Sequence, residues 1–349
     1  MEAILLPRRD VLILLAFLAI HPCPSHASAG TEGASFLDIP VGAGPAAMGS
    51  AYAALATNAY APTSNPGGLG FLKGPELAAQ HLSYIQSVRY EHFGLVTPLG
   101  HDPSTHRGLG ISIQDLGTGD IARTDVTNGV PVTGLGNFSS RWSAFNLSYG
   151  QTATDRLSLG VTGKMIHATI DDVSADAYAM DVGSLYKWNE NLSLAATITN
   201  VGTKLKFLEE GDNLPMAAHA GLAYRWTPQW LISMEGVYPR TGMGSFHIGG
   251  QWQPAQVFSI RVGYKTDTVN GLNALAGLTT GFGLHVWGQE LAYAWTPYGE
   301  LGSAQYFSLL VHFGTTSDNR RNLIQIPHAK EPRVALGDKR FIDELEIER

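Results

Sequence analysis

The sequence predicts an all-β fold, a transmembrane antiparallel up-and-down β-barrel of about fourteen strands. Three observations predict it. An export signal is followed by no further long apolar run, the chain is poor in charge and rich in glycine, and segment after segment alternates apolar and polar residues with a period of two.

The signal occupies residues 1–29. Arg8 and Arg9 precede the apolar run from Val11 to Ile20, and the small residues Ala27, Ser28 and Ala29 close it, which is the layout of a secretory signal peptide. Cleavage is placed after Ala29. The apolar core is about half the roughly 20 residues that a spanning helix requires. Cys23, the single cysteine, lies within this segment, so disulfides contribute nothing to the mature chain.

Composition narrows the class. Charged residues make up 15% of the chain and glycine accounts for 40 of 349 positions, against about 25% charged residues in an average soluble domain. Hydrocarbon is spanned only by helices or closed barrels, because only these satisfy every backbone donor and acceptor internally. With no apolar helix after the signal, a barrel in the bacterial outer membrane remains, and its first partner is membrane lipid. The net charge of −7 speaks against a nucleic-acid partner.

Alternation places the strands. Phe258, Ile260, Val262 and Tyr264 oppose Ser259, Arg261, Gly263 and Lys265. Ala220, Leu222, Tyr224 and Trp226 oppose His219, Gly221, Ala223 and Arg225, while Leu192, Leu194, Ala196 and Ile198 oppose Ser193, Ala195, Thr197 and Thr199. In a barrel one set meets lipid and the other the lumen. A less clean version runs through Phe307, Leu309, Val311 and Phe313. On this basis strands fall near 77–87, 89–100, 106–117, 138–151, 155–168, 175–188, 191–202, 215–226, 229–238, 243–253, 256–266, 270–282, 284–296 and 303–314. Short breakers such as Thr227-Pro228 and Gln253-Pro254 make sequential strands antiparallel neighbours. The barrel domain is thus 76–314. Tyr149, Tyr186, Trp188, Tyr224, Trp226, Trp230, Tyr238, Trp252, Tyr264, Tyr293 and Trp295 fall near strand ends, where headgroups suit amphipathic rings. A soluble β-sandwich would instead need Lys- and Glu-rich outer faces.

Residues 30–75 are of another kind, rich in Ala, Gly and Pro. Met48 to Leu55 could form a short helix, and Asn65-Pro66-Gly67-Gly68 is a strong turn signal. Small residues permit close backbone approach. The segment reads either as a plug folded into the lumen or as a flexible periplasmic leader.

Several ordered motifs resemble the PorV/PorQ family of outer-membrane proteins. They are Phe36-Leu37-Asp38-Ile39-Pro40-Val41-Gly42-Ala43, then Ala46-Ala47-Met48-Gly49-Ser50-Ala51-Tyr52, then Asn65-Pro66-Gly67-Gly68-Leu69. Downstream follow Lys164, Ile166-His167, Asp181-Val182-Gly183, Asn200-Val201-Gly202, Asn213-Leu214-Pro215 and Tyr293 to Gly302, so that the resemblance spans roughly 35–314. It implies a fourteen-stranded barrel similar to the FadL-type transporters of hydrophobic compounds, with an N-terminal plug carrying Met48, Gly49, Asn65, Pro66, Gly67 and Gly68. It further implies a transport or type IX-like protein-secretion component whose partners are secretion-machinery subunits or cargo proteins. The alternative is a FadL-like channel for small hydrophobic molecules. Thr57 and Asn58 stand where the family often has acids, and Gly67 where it usually has Ala.

Residues 315–349 turn charged and are read as a periplasmic tail, either disordered or a docking segment, with both chain ends on the periplasmic side. Asp171-Asp172 and Glu209-Glu210 are the neighbouring acids worth weighing as calcium or partner sites. Both lie in expected turns, where solvated charge is the simpler account. His167, His219, His247 and His312 lack metal-site spacing and are expected in the lumen or at its rim. No serine elbow or triad pattern is legible. No catalytic residue, metal or cofactor is therefore expected, and the chain is not read as an enzyme.

Overall fold

A computed structural model describes residues 32–100, 106–269 and 274–313. The signal segment and the charged tail that the sequence leads one to expect fall outside the described residues. Fourteen strands close into one barrel. They are β1 (Glu76–Ser83), β2 (Arg89–Leu99), β3 (Arg107–Ala122), β4 (Asn137–Thr152), β5 (Leu157–Ile170), β6 (Val173–Lys187), β7 (Leu192–Gly202), β8 (Ala217–Arg225), β9 (Trp230–Pro239), β10 (Ser245–Ala255), β11 (Phe258–Lys265), β12 (Leu278–Val286), β13 (Gln289–Pro297) and β14 (Ser303–His312).

Each strand pairs antiparallel with its sequence neighbours, and β1 closes on β14 with Glu76 opposite His312 and Ser83 opposite Gln305. Closure leaves no strand edge unpaired, which is the condition for backbone to live in hydrocarbon. Among the described residues no helix is long and apolar enough to cross a membrane.

The period-two pattern resolves as the physics requires. On β11 Ser259, Arg261, Gly263 and Lys265 point inward and are buried, while Val262 is exposed outward. On β5 Leu159, Val161 and Met165 face out, and Ser158, Thr162 and Lys164 face in. The outward set forms an apolar belt through Phe93, Leu95, Phe145, Leu147, Met180, Val182, Phe282 and Phe307. At one end the belt is bounded by outward ion pairs, His81–Glu91 and His167–Asp176 at 2.7 Å and Arg141–Asp115 at 2.9 Å. At the other end sit Trp226, Trp230 and Trp252, the last two stacked at 5.8 Å.

That second end carries the short turns 153–156, 188–191, 226–229, 256–257 and 287–288, whereas the first carries the longer connections 123–136, 203–216 and 266–277. Short turns belong to the periplasmic side and long loops to the outside. Two of the long connections contain their own small hairpins, 125–132 and 205–212.

Several expected elements are displaced. The strand near 77–87 stops at Ser83, because Tyr84 to Ser87 turn through Gln86 at φ 54°. The strands near 270–282 and 284–296 are instead Leu278–Val286 and Gln289–Pro297, with the turn at Trp287-Gly288. The helix expected over Met48 to Leu55 lies earlier, as α1 (Ala43–Ala47), because Gly49 and Ser50 adopt φ of 63° and 65° and end it. A second short helix, α2 (Ala61–Ser64), leads into a 3-10 turn over Pro66–Phe71. The first described residue, Glu32, is not at the periplasmic end as expected. It hydrogen-bonds Thr241 in the loop after β9, while Gly33 N donates to Asn213 O in the connection after β7.

Candidate functional site in the barrel interior

Residues 32–75 descend the inside of the barrel from the loop end to the start of β1, crossing from one wall to the other. On one side Gly49 N donates to Thr279 Oγ1 on β12 at 3.0 Å, and Thr279 Oγ1 donates to Ala47 O at 2.9 Å. Met48, 1% exposed, rests on Gly249 and Gly263, where side chains would collide with it. On the far side the turn at Asn65 meets a row of inward glycines on neighbouring strands, Gly108, Gly150, Gly160 and Gly183. A methyl at Gly150 would stand 2.6 Å from Pro66 O and 2.7 Å from Leu69 Cβ. The glycine wealth of the sequence is thus partly a docking surface.

Asn65 is fully buried and organises this turn. Its Nδ2 donates to Ala53 O at 2.9 Å and to Ser184 O on β6 at 3.0 Å, and its Oδ1 accepts from Gly67 N at 3.0 Å. Pro66 follows at the first helical position, where its missing N–H costs nothing. Gly68 lies so close to Ala56 O that no side chain fits. The six residues singled out in the sequence therefore form two separate contacts on opposing walls, Met48-Gly49 on β10 and β11 and Asn65 to Gly68 on β4 to β6.

Other wall groups hold the segment by hydrogen bonds. Glu235 on β9 accepts from Tyr52 N at 3.0 Å and Ala53 N at 2.9 Å, while its other oxygen meets His219 Nδ1 at 2.8 Å. Glu76 accepts from Ala59 N and Ser308 Oγ from Ala43 N. Buried ion pairs brace the wall. Arg261 Nη1 lies 2.6 Å from Glu290 and its Nε donates to Gln251 at 2.7 Å. Lys164 Nζ lies 2.7 Å from Asp181, which accepts from Asn200 N where the ladder between β6 and β7 shifts register. Asn200 adopts φ 59°, a left-handed conformation that asparagine tolerates, so this bulge satisfies its free N–H with a carboxylate.

Toward the loop end the segment and the wall leave a cavity of about 380 Å³. Leu37, Ile39, Val41, Val237 and Met243 give it an apolar side, and Asp38, Lys164, His219, Glu235, His247 and Lys265 a polar one. Phe36, Trp142 and Phe207 cluster beside it, with ring centroids 6.2 and 5.7 Å apart. The Asp38 side chain is exposed to the open lumen, yet desolvation by the surrounding protein first, then the Glu32 carboxylate, pushes its carboxyl up to about 7 against the opposing pull of His219 and Lys164.

The loop acids do not join this site. Asp171 sits in a two-residue turn and pairs with Arg123 at 2.6 Å, Asp172 is exposed beside it, and Glu209 and Glu210 are exposed in the turn between the strands of the 205–212 hairpin. Among the described residues no three histidines, cysteines or acids gather as a metal-binding group. His219 and His247 face the lumen and His312 meets Glu76 at 3.6 Å. His167, by contrast, is on the outer face with Asp176. The interior charges Asp181, Glu235, Lys265 and Glu290 were not singled out as site residues from the sequence. Their signal was present, since each is a charge on the inward phase of a strand, Asp181 and Glu235 in mid-strand and Glu290 and Lys265 near a strand end.

A closed fourteen-stranded antiparallel barrel with an apolar belt outside and polar groups within defines a bacterial outer-membrane β-barrel protein. No family model matches the chain, and no curated protein matches its sequence. Solved structures do resemble it. The toluene transporter TbuX of Ralstonia pickettii aligns with a TM-score of 0.54 and 15% identity, covering 78% of this chain and 98% of that one. The toluene transporter TodX of Pseudomonas putida aligns at 0.55 and 15%, covering 77% and 96%. The monoaromatic hydrocarbon channel CymD aligns at 0.51 and 14%, covering 80% and 99%. At such identities the likeness is one of fold.

Proposed function

We propose that this protein admits small hydrophobic molecules through the outer membrane, with residues 30–75 acting as the plug that keeps the 76–314 barrel from being an open pore. The observation that carries the reading is the crossing of the lumen by the N-terminal segment inside a barrel similar to those of hydrocarbon transporters. A wide barrel without such a segment would leak ions and polar solutes, whereas a segment held by small residues and a few hydrogen bonds can shift without breaking the wall. The cavity is within the size range of small-molecule sites and has an apolar side.

Secretion of the PorV/PorQ kind is the competing reading, and it rests on the motif resemblance alone. Deleting the gene separates the two. Slower uptake of toluene-sized hydrocarbons with an unchanged surface proteome supports the proposal. Loss of a shared set of surface proteins with normal uptake refutes it in favour of secretion.

A further inference from the structure

The periplasmic mouth of the barrel has a basic floor that the wall does not neutralise. Arg156 stands just ahead of β5, Lys187 ends β6 and Arg225 ends β8, each on the inward phase marked by the buried Ser158, Leu185 and Ala223. Backbone bonds fix their heights, with Lys187 N donating to Arg156 O and Arg225 N to Asn191 O, both at 2.8 Å. Lys73, where the N-terminal segment leaves the lumen, is exposed and near enough for its charge to be felt at Lys187. Among the described residues none of these four bases has an ion pair; Arg156 Nη1 reaches only the Trp188 carbonyl, at 3.5 Å. Asp155 and Glu190 are exposed in the adjoining turns, and Glu76 is buried against Ala59 N and His312.

Between these charges the N-terminal segment is apolar. Leu55 and Phe71 are half-buried and pack on Ala53, Ala54, Leu185 and Ala223, and Lys187 Nζ lies 3.7 Å from the Phe71 ring centroid. An apolar centre inside a cationic rim complements an acidic stretch with apolar side chains. The same chain contains one, Phe341-Ile342-Asp343-Glu344-Leu345-Glu346-Ile347-Glu348, with four acids and no base within it. The chain also leaves the barrel at this mouth, since Phe313 N donates to Pro75 O at 2.9 Å, two positions along from Lys73. Residues 314–340 can reach up to roughly 90 Å. A fourteen-stranded barrel is roughly 30 Å across, from strands about 4.8 Å apart and tilted.

We infer that residues 341–348 dock on this basic floor and cover the periplasmic mouth of their own barrel. The carboxylates supply charge-assisted hydrogen bonds to ammonium and guanidinium groups that lack an acid, and the apolar side chains cover Leu55 and Phe71. Tethering beside Lys73 holds the segment at an effective concentration on the order of millimolar, so that a weak site suffices. An anionic lipid headgroup offers the same charge but meets the outward phase of the strands, whereas Lys187 and Arg225 are on the inward one. The docking is independent of which solute the barrel admits.

The test uses the full mature protein in an uncharged detergent at pH 6.5, as a mixture of unlabelled and ¹⁵N-labelled chains, treated with a water-soluble carbodiimide that joins a carboxylate to an amine only where the two touch. Mass spectrometry should find Lys73 or Lys187 linked to an acid among 343–348, within one chain and not between light and heavy ones. Raising the salt to 1 M should cut the yield at least about fivefold, because screening weakens exposed pairs. In a second readout, trypsin should cut after Lys339 or Arg340 at least about fivefold faster in a Lys187→Gln/Arg225→Gln protein of wild-type heat-modifiable migration. A Glu344→Gln/Glu346→Gln/Glu348→Gln protein, changed only outside the barrel, should show the same acceleration, and Lys187→Arg/Arg225→Lys should keep the wild-type rate. Tail acids linked only to other lysines, links only between light and heavy chains, or wild-type cleavage rates in the triple Gln protein overturn the inference.

Discussion

Replacing Gly150 by alanine tests whether the N-terminal segment is held by its fit to the wall. Gly150 lies on β4, opposite Gly108 on β3 and Gly160 on β5, with its Cα hydrogens toward the lumen. The added methyl would stand 2.6 Å from Pro66 O, 2.7 Å from Leu69 Cβ and 3.1 Å from Gly70 N. Since carbon atoms are comfortable at about 3.5–4.0 Å, wall and turn must separate by roughly 0.8 Å or more. The wall is fastened by continuous ladders on both sides of β4, while the Asn65 side chain fastens the turn to the wall by one hydrogen bond, to Ser184 O. The turn should therefore yield. Overpacking costs about 1–3 kcal/mol, which raises the population with a detached turn roughly 5- to 150-fold. Hydrogen exchange by mass spectrometry should show faster exchange in peptides covering 60–75, with the strands and the heat-modifiable gel position unchanged. If those peptides keep wild-type protection, or the barrel melts while they remain protected, the docking account is wrong.

Two further outcomes follow from the interior. Lys164→Met strands Asp181 in a buried site, so the barrel should lose about 3–5 kcal/mol in denaturant unfolding from detergent. Adding Asp181→Asn should restore a large part of that loss, and a double variant no better than the single one would disprove the coupling. Asp38 supplies a pH dependence. Its carboxyl is raised from 3.8 to about 7, so the folded protein holds this proton more tightly than the unfolded chain. Its contribution to stability is complete below about pH 4 and is lost as the pH rises through about 7. Wild-type thermal midpoints should thus fall more between pH 5 and 8 than those of Asp38→Asn, in a setting shared with Glu32, Lys164, His219 and Asp267. An identical fall in both proteins would refute the assignment.

Much of the wall was legible because alternation is local. On β11 each residue from Phe258 to Lys265 faces as its polarity dictates. The errors are instructive for the same reason. Gly283 looked like a turn residue between two strands, but it is an inward glycine of β12, where a methyl would meet Ser259 Oγ at 2.7 Å. The true turn uses Trp287 at φ 55° and Gly288 at φ 79°, and a tryptophan in a left-handed position gives no turn signal in sequence. Glycine in the polar phase has two meanings, turn or close approach, and only the neighbour in space separates them. Asn65 could be read as a turn former, but its bonds to Ser184 and Ala53 join positions up to 119 residues apart.

By itself the sequence determined that strands form, how their faces divide between lipid and lumen, and the membrane environment those faces suit. These are consequences of side-chain polarity repeated every second residue, a property of neighbours along the chain. The tertiary structure alone decided that the N-terminal segment, from its first described residue Glu32, enters among the outer loops, that Met48 and Asn65 brace it against opposing walls, and that Asp38 comes to share a cavity with Glu32, Lys164 and His219. Each of these depends on which strands closure and register bring face to face across the lumen, and no periodicity within one strand encodes that.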